Sequence, residues 1–368
     1  MTKGSVKAFL ERKNIEISAR RYGIDALSAM AQGLFCSLLI GTIINTIGTQ
    51  FHIGFLTDPV WIMKSGENAI PYTVGGLAVA MTGPAMAIAI GYALKSPNLV
   101  LFSLAAVGFA ANGLGGAGGP LAVLIIAIIA AEFGKAVAGE TKIDILIVPL
   151  VTIGVGVALS AWWAPGLGAA AMKVGNLIMW ATELRPFMMG ILVSVIVGMA
   201  LTLPISSAAI CAAFGLVGLA GGAAVAGCCA QMIGFAVMSF PENKWGGLIS
   251  QGIGTSMLQM GNIVKNPRIW IAPTLTSAIT GPIATCIFKL QMNGAPVSSG
   301  MGTCGFVGQI GVYSGWVNDV ASGAKAAITG MDWLGLILIC FVLPAVLAPL
   351  INMGCRKLGW VKDGDLTI

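Results

Sequence analysis

Two short segments carry the residues whose types and spacing are best suited to bind a polar ligand. Residues 204–207 read Pro-Ile-Ser-Ser and residues 296–299 read Pro-Val-Ser-Ser, and each segment follows an apolar stretch. Proline ends a helix, and paired hydroxyls can both donate and accept hydrogen bonds. The pattern predicts two re-entrant hairpin tips, with hinge positions at Pro204, Pro296, Gly294 and Gly300. The alternative is that serine and glycine at these points only allow close helix packing.

Uncharged amides and hydroxyls lie around these segments. The stretch 245–266 is rich in glycine and carries glutamine, threonine and asparagine side chains. Neutral hydrogen-bonding groups suit an uncharged small ligand with many hydroxyls, such as a sugar or a polyol. The predicted substrate-binding residues are Ser206, Ser207, Gln251, Thr255, Gln259, Asn262, Asn293, Ser298 and Ser299.

Metal, redox and nucleotide chemistry have no comparable pattern. The eight cysteines include no Cys-x-x-Cys pair and His52 is the single histidine, so the sequence predicts no metal site and no cofactor. Residues 113–118 match Gly-x-Gly-x-x-Gly, but no strand precedes them, as a dinucleotide site requires. No catalytic residue is predicted, and no buried acid is prominent enough to predict a proton carrier.

The elements that must position these residues are apolar helices. Hydrophobic residues make up 57% of the 368-residue chain, charged residues only 9%, and the mean hydropathy is +0.91. Soluble domains carry about 25% charged residues, which excludes a soluble cytoplasmic enzyme. Since one membrane span needs about 20 apolar residues, the sequence predicts an all-α polytopic membrane protein. We expect about eight to ten transmembrane helices, two re-entrant hairpins and an interfacial amphipathic helix.

Charge divides the chain into five predicted parts. Six of the 20 Lys and Arg residues lie within the first 21 positions, and more follow the last apolar span, which predicts that both termini are cytoplasmic. The bilayer, and not nucleic acid, is the expected partner of this charge. The parts are a basic N-terminal helix (1–26), scaffold helices (27–164), the interfacial helix (165–184), a substrate-binding region (185–353) and a cytoplasmic tail (354–368).

Several segments, taken in order, resemble one known family. Residues 70–76 (Ile-Pro-Tyr-Thr-Val-Gly-Gly) and the glycine-rich 113–119 are similar to signatures of the membrane component, enzyme IIC, of sugar phosphotransferase systems of the fructose type. Pro149, Pro165, Trp180 and the stretches 190–209 and 252–267 continue the resemblance. Residues 293–302 (Asn-Gly-Ala-Pro-Val-Ser-Ser-Gly-Met-Gly) look closest to the compact, free-standing branch that includes perfringolysin-regulator-like proteins.

The resemblance implies a homodimer in which 27–164 forms the interface and 185–353 moves. It also implies coupling of transport to sugar phosphorylation by separate cytoplasmic phosphocarrier subunits. Two departures leave the enzymatic role open. The family's Gly-Ile-Thr-Glu reads Gly-Thr-Ser-Met at 254–257, and its Pro-His-Gly-Gly reads Pro-Val-Ser-Ser at 296–299, so the acid and the histidine are missing.

Two functions follow as expectations. The first is a permease of the enzyme IIC type, in a bacterial-type plasma membrane, that moves a sugar-like polar solute by alternating access. The second is a membrane sensor that binds such a solute and signals to a cytoplasmic partner through the basic N-terminal helix.

Overall fold

Nearly the whole chain is helical. The computed structural model describes residues 3–65 and 68–368, is 79% helical and contains almost no sheet, which confirms the all-α polytopic class. The chain divides into two compact units, Met1–Ala169 and Ala170–Ile368. One long helix, α9, begins in the first unit and ends in the second.

The first unit consists of a helical N-terminal arm, bent or broken spans and one small hairpin. Its helices are α1 Lys3–Arg12, α2 Ala26–Leu34, α3 Ile40–Gln50, α4 Gly54–Thr57, α5 Val74–Ala80, α6 Thr82–Ala93, α7 Asn98–Gly115, α8 Gly119–Val137 and α9 Asp144–Thr182. π turns before and after α2 make Arg21–Thr49 one continuous helix. Strands β1 (Trp61–Ser65) and β2 (Asn68–Tyr72) pair antiparallel.

The glycine-rich break predicted over 113–119 is where α7 and α8 reverse direction. Gly116 has φ +49°, a backbone conformation that glycine adopts without steric cost. The two helices then lie side by side, because a Cβ at Gly134 near the end of α8 would lie 2.9 Å from Val100 near the start of α7. Each helix is about 27 Å long at 1.5 Å per residue, close to the thickness of the hydrocarbon core.

The second unit surrounds one central helix. Its helices after α9 are α10 Pro186–Thr202, α11 Ser207–Ala213, α12 Gly218–Met238, α13 Phe240–Ile249, α14 Met260–Lys265, α15 Ile271–Pro282, α16 Val307–Ala321, α17 Gly330–Ile337 and α18 Leu343–Lys357. Of the apolar spans, α12 is the most enclosed, at 89% buried. Glycines allow this packing, since a Cβ at Gly227 would lie 1.9 Å from the carbonyl oxygen of Ser194.

Six helices in the described part of the chain are long and apolar enough to cross a membrane, and the bent pair α5 and α6 makes a seventh if it is one span. Two features explain why this count is lower than the predicted eight to ten transmembrane helices. The single apolar stretch Asn98–Val137 contains both α7 and α8, and Pro186–Thr202 is apolar but short. The predicted interfacial helix, 165–184, is not a separate element, because its residues 165–182 form the last part of α9.

Candidate functional site

The two Pro-Ser-Ser segments, which we call tip 1 (204–207) and tip 2 (296–299), each start a new helical turn. At tip 1, α10 ends at Thr202 and the Ser206 hydroxyl accepts a hydrogen bond from the Ala209 amide (3.2 Å), which caps α11. At tip 2, Pro296 begins a 3-10 turn that ends at Gly300. A serine therefore starts a helix at tip 1, as its cap preference predicts, whereas proline begins the turn at tip 2.

The tips lie directly against each other, 93 residues apart in sequence. The Ser207 hydroxyl donates to the Gly300 carbonyl (2.7 Å), and a Cβ at Gly300 would lie 2.6 Å from the Ser207 carbonyl. The Ser299 hydroxyl donates to the Leu216 carbonyl (2.6 Å), while Ser298 is buried against Gly311 of α16. The tips therefore meet as a closed junction, and in this conformation main-chain carbonyls already bind two of the four hydroxyls.

A second polar cluster lies deeper along α12, around Gln231. The Gln231 Oε1 accepts from the Trp270 indole N–H (2.9 Å) and from the Thr202 hydroxyl (3.3 Å), and its Nε2 donates to Thr274 (3.4 Å). The hydroxyls of Thr202 and Ser256 are 2.8 Å apart. Gln231, Thr202 and Ser256 are fully buried, and these contacts include no ionised side chain. The cluster can therefore offer only neutral hydrogen bonds.

Three amides form a hydrogen-bonded row, the amide ladder, beyond the end of α12. Gln251 donates from Nε2 to Ser239 (2.9 Å) and accepts at Oε1 from Gln259 (2.9 Å). Gln259 in turn accepts from Asn262 (2.9 Å). Thr255 lies between these residues and caps the turn 256–259 by accepting from the Met257 amide (3.2 Å). The three predicted amides thus act as one connected unit.

The C-terminal segment covers the ladder. The Leu366 carbonyl accepts from Gln259 (2.8 Å), and the Thr367 carbonyl accepts from Asn262 (2.8 Å). Leu366 is fully buried. Residues of the predicted cytoplasmic tail are therefore packed against predicted substrate-binding residues.

Asn293 lies apart from the other predicted residues, in a cleft of about 320 Å³. Its Nδ2 donates to Asp319 (2.8 Å), and Lys325 in the same cleft pairs with Asp332 (2.7 Å). The Lys325 ammonium also lies 5.8 Å from the centre of the Trp316 ring. Mixed charged and aromatic surfaces of this kind bind hydroxyl-rich molecules through ring faces and hydrogen bonds.

Helix α12 connects these places in order. Its first residue, Gly218, exchanges two main-chain hydrogen bonds with Met292 beside the cleft (both 2.9 Å), and Gly221 faces the Ser299 hydroxyl. From Gly221 to Gln231 is about 15 Å along the helix, and from Gln231 to Ser239 at the ladder about 12 Å. The cleft, the junction, the Gln231 cluster and the ladder thus form a polar track along one helix.

The structure separates the predicted site residues into three groups. Ser206, Ser207, Ser298 and Ser299 lie at the junction with Gly300 and the prolines; Gln251, Thr255, Gln259 and Asn262 lie at the ladder; and Asn293 lies in the cleft. The sequence reasoning missed Gln231, Thr202 and Ser256. A signal existed for Gln231, the single side chain of the Asn, Gln or charged type in the 21-residue span Gly218–Met238.

A family model described as "Phosphotransferase system, EIIC" matches residues 24–368, nearly the whole chain. No curated protein and no solved structure matches the chain. The match therefore rests on the sequence pattern and extends over both compact units.

Proposed function

The chain belongs to the EIIC family of phosphotransferase systems, the membrane components of such transporters, and we propose that it is a permease for a sugar or polyol that works by alternating access. The proposal includes a homodimer in a bacterial-type plasma membrane, with 27–164 as scaffold, 185–353 as the moving part and both termini in the cytoplasm. The membership in the perfringolysin-regulator-like branch is part of the same proposal.

The observation that carries the proposal is the contact between the two tips. Each hydroxyl-to-carbonyl hydrogen bond has a small net free energy, about 0.5–1.5 kcal/mol, because a new partner replaces the old one. A solute with several hydroxyls can therefore replace the bonds of Ser207 and Ser299 at little cost as the tips separate. Breaks that place polar backbone at membrane depth need such partners, and transporters bind substrates at them.

The chemistry of the track favours an uncharged solute. The Gln231 cluster and the ladder offer amides and hydroxyls, and no carboxylate or ammonium takes part in the hydrogen bonds of Gln231, Gln251 and Gln259. Only Asn262, at the end of the ladder, accepts from an ammonium, that of Lys265 (3.3 Å). A charged solute would lose its hydration without gaining an ionic partner, which is costly. A sugar or polyol loses only hydrogen bonds that these groups can replace.

Phosphorylation of the solute would need help from outside the track. A hydroxyl that attacks a phosphoryl group needs a titratable base within hydrogen-bond reach. The junction side chains within hydrogen-bond reach of such a hydroxyl would be Ser207 and Ser299, and neither can act as a base at neutral pH. In this proposal the chain binds and moves the solute, while a separate cytoplasmic phosphocarrier subunit performs any group transfer.

Uptake into liposomes that contain only the purified protein tests the proposal. We expect entry of labelled glucose, mannose or sorbitol, reduced up to about tenfold by Ser207→Ala and Ser299→Ala. Ser322→Ala is the matched control, because its exposed hydroxyl bonds only to Asp319 at the end of α16. Uptake that both junction variants leave unchanged would show that the tips do not bind the solute.

The sensor function is supported by one feature of the first unit. Arg12 and Lys13 pair with Glu140 (2.6 and 2.5 Å), so the basic helix α1 is docked by contacts that can be made and broken. A sensor should change the hydrogen-exchange protection of α1 when a solute binds, and Glu140→Gln should abolish that response without reducing uptake. Protection of α1 that is the same with and without bound solute would contradict signalling through α1.

A further inference from the structure

The last eight residues, 361–368, form a strap that lies across the amide ladder. Val361 and Leu366 are buried in an apolar cluster with Phe235, Ile263 and Cys355. The backbone of the strap forms only turns, such as the bond from the Thr367 amide to the Gly364 carbonyl (3.2 Å). Besides these two apolar anchors, the Asp365 carboxylate accepts from the Asn266 amide (2.8 Å). No helix or strand holds the strap, so it can leave as one piece without unfolding α18.

The strap binds the ladder through its peptide groups. The Leu366 carbonyl accepts from both Asn243 (2.7 Å) and Gln259 (2.8 Å), and the Ile368 amide donates to Asn243 Oδ1 (3.0 Å). With the bond from Asn262 to Thr367 (2.8 Å), three primary amides direct N–H groups at carbonyl oxygens of the strap. A hydroxyl oxygen of a sugar accepts a hydrogen bond from an amide N–H in the same way.

Two glycines and a set of ion pairs define how the strap is attached. Gly359, with φ +70°, ends α18, and Gly364, with φ +89°, turns the strap towards the ladder. Arg356 at the end of α18 pairs with Glu242 (2.6 Å) and with Asp363 of the strap. The pair of Arg356 with Glu242 therefore holds the end of α18 in place, and Gly359 just after it is the pivot of the strap. Asp363 is exposed, so its pair with Arg356 can separate.

We propose that residues 361–368 are a tethered competitor for the solute: the strap occupies the hydrogen-bonding groups of Asn243, Gln259 and Asn262 and leaves when the solute binds there. This inference rests on the proposed function, because it names the regulation of the same polar track. A site that is free only part of the time binds its ligand more weakly in proportion to that fraction. Removing the strap therefore strengthens solute binding at the ladder.

Cys355 reports the position of the strap without any solute. Its thiol is buried in the cluster under Val361 and Leu366. Leu366→Glu, or deletion of 361–368, should increase the rate at which a water-soluble maleimide modifies Cys355 at least tenfold, measured by peptide mass spectrometry on the full-length protein in detergent. Leu358→Glu is the matched control, because Leu358 is 64% exposed just before the pivot and its variant should label like the unaltered chain.

Solute binding is measured on the same proteins with glucose, mannose and sorbitol. We expect the strap variants to bind the responding probe several-fold more tightly than the unaltered chain and the Leu358→Glu control. A synthetic peptide of residues 359–368, added to the deletion variant, should restore protection of Cys355 and weaken binding again. This addition also shows that the deletion variant is folded.

The outcomes separate this inference from the proposed function. Cys355 that becomes reactive while solute affinity stays the same makes the strap a structural cover and overturns the competition, but leaves the permease intact. Cys355 that stays protected in both strap variants shows that the strap does not cover the cluster and overturns the inference. If no protein binds any of the probes, the proposed solute class is wrong, and the strap cannot then be a competitor of a sugar or polyol.

Discussion

Gln231 holds together a buried cluster with three hydrogen-bond partners from three other elements. It is fully buried in α12 and bonds to Trp270 (2.9 Å), Thr202 (3.3 Å) and Thr274 (3.4 Å). Gln231→Leu keeps the size of the side chain but leaves the indole N–H and two hydroxyls short of a partner. Because each buried unpaired group costs about 1–3 kcal/mol, we expect thermal unfolding at lower temperature and weaker solute binding.

Gln32→Leu is the control for that substitution. Gln32 is exposed on α2 in the other unit, and exposed substitutions usually change stability by less than about 0.5 kcal/mol. If the Gln231 variant has the same unfolding temperature and solute affinity as the Gln32 variant, the Gln231 cluster contributes to neither stability nor binding.

Among the first-unit residues whose burial the structure describes, Lys135 is the most enclosed charged side chain, at 1% exposed. Its ammonium contacts Glu132 (2.7 Å) and the carbonyls of Asn14 (2.8 Å) and Leu94 (3.2 Å). Removing one partner of a buried pair leaves an uncompensated charge, at a cost of about 3–5 kcal/mol. We therefore expect Lys135→Met to lower the unfolding temperature strongly, measured in detergent.

The double variant Lys135→Met with Glu132→Gln tests the cause of that loss. It removes both charges, so it should unfold at a higher temperature than Lys135→Met alone. The Tyr22 hydroxyl, which donates to Glu132 (3.0 Å), can donate to the glutamine oxygen instead. A double variant that is less stable than Lys135→Met would mean that packing, and not charge, determines the effect.

At the scale of single residues, the sequence was better at predicting which side chains make hydrogen bonds than which groups those side chains contact. The Pro-Ser-Ser spacing was sufficient to predict that Ser207 and Ser299 lie near backbone breaks, because proline and serine act locally. It could not predict that main-chain carbonyls would bind both hydroxyls, because those carbonyls are distant in sequence. Gln231 was missed because its partners come from three other elements.

At the scale of elements, Gly300 determines how closely the tips approach. A Cβ there would lie 2.6 Å from the backbone of Ser207, which is closer than real contacts. Gly300→Ala must therefore push the tips apart, and overpacking of this kind costs about 1–3 kcal/mol. We expect reduced uptake in liposomes and a lower unfolding temperature.

Gly354→Ala gives the comparison, because a Cβ at Gly354 meets nothing within 4 Å. It should leave uptake unchanged and keep or slightly raise stability, since alanine favours helices. Equal behaviour of the two alanine variants would show that contact between the tips has no role.

The docking of α1 depends on one carboxylate. Hydrogen bonding from the Lys13 ammonium, helped by the charge of Arg12, holds the pKa of Glu140 below its ordinary value of 4.5. A lowered pKa means that the docking interaction is fully present above about pH 4.5 and is lost as the pH falls through the folded-state pKa. The protection factors of residues 7–16, which correct the hydrogen-exchange rates for the intrinsic effect of pH, should therefore fall only in that acidic range.

Glu140→Gln removes the charge at every pH. In this variant the protection factors of residues 7–16 should be low at pH 7 and should no longer change as the carboxylate range is crossed. Exchange that is slow in both proteins at pH 7 would show that other contacts, such as the bond from Lys13 to the Ala138 carbonyl, are sufficient for docking.

Among the elements, breaks were easier to predict than lengths. Glycine and proline marked the reversal at Gly116 and the end of α10 near Pro204, because these residues change the backbone locally. Pro165 was expected to start a separate helix but lies inside the 39-residue α9. A proline in an apolar helix is tolerated where neighbouring groups satisfy the freed carbonyl, and the sequence does not show those neighbours.

At the scale of the whole molecule, composition was sufficient to predict a helical membrane protein but not how its helices pack. With 9% charged residues, the chain has no polar surface large enough for a soluble fold, and this alone predicts membrane helices. The track along α12 brings together residues from 202 to 367. Such long-range contacts depend on packing of small residues, for example Gly222 against the Leu290 carbonyl, which no local pattern reveals.

The neutral part of the track, from the junction to the ladder, makes a prediction about energy coupling. A carrier driven by protons needs a group in the solute path that gains and loses a proton near neutral pH, usually a buried Asp, Glu or His. In the described chain the single histidine, His52, is exposed in the first unit, and Gln231 and the ladder amides do not titrate. The largely buried acid nearest the ladder in sequence, Glu242, is paired with Arg356 (2.6 Å) and does not bond to a ladder amide. Solute binding at the track should therefore be the same from about pH 5.5 to pH 8.

Liposome uptake tests this with the pH set separately on each side. Initial rates for the responding sugar or polyol should not depend on an imposed pH gradient, because no proton moves with the solute through a path of amides and hydroxyls. The charged cleft provides the internal comparison: Asp319→Asn changes its charge while leaving an acceptor for the Asn293 amide, and should alter entry without creating pH dependence. A rate that rises with an inward proton gradient would require a titratable group in the path, and the neutral track would then not be the route of the solute.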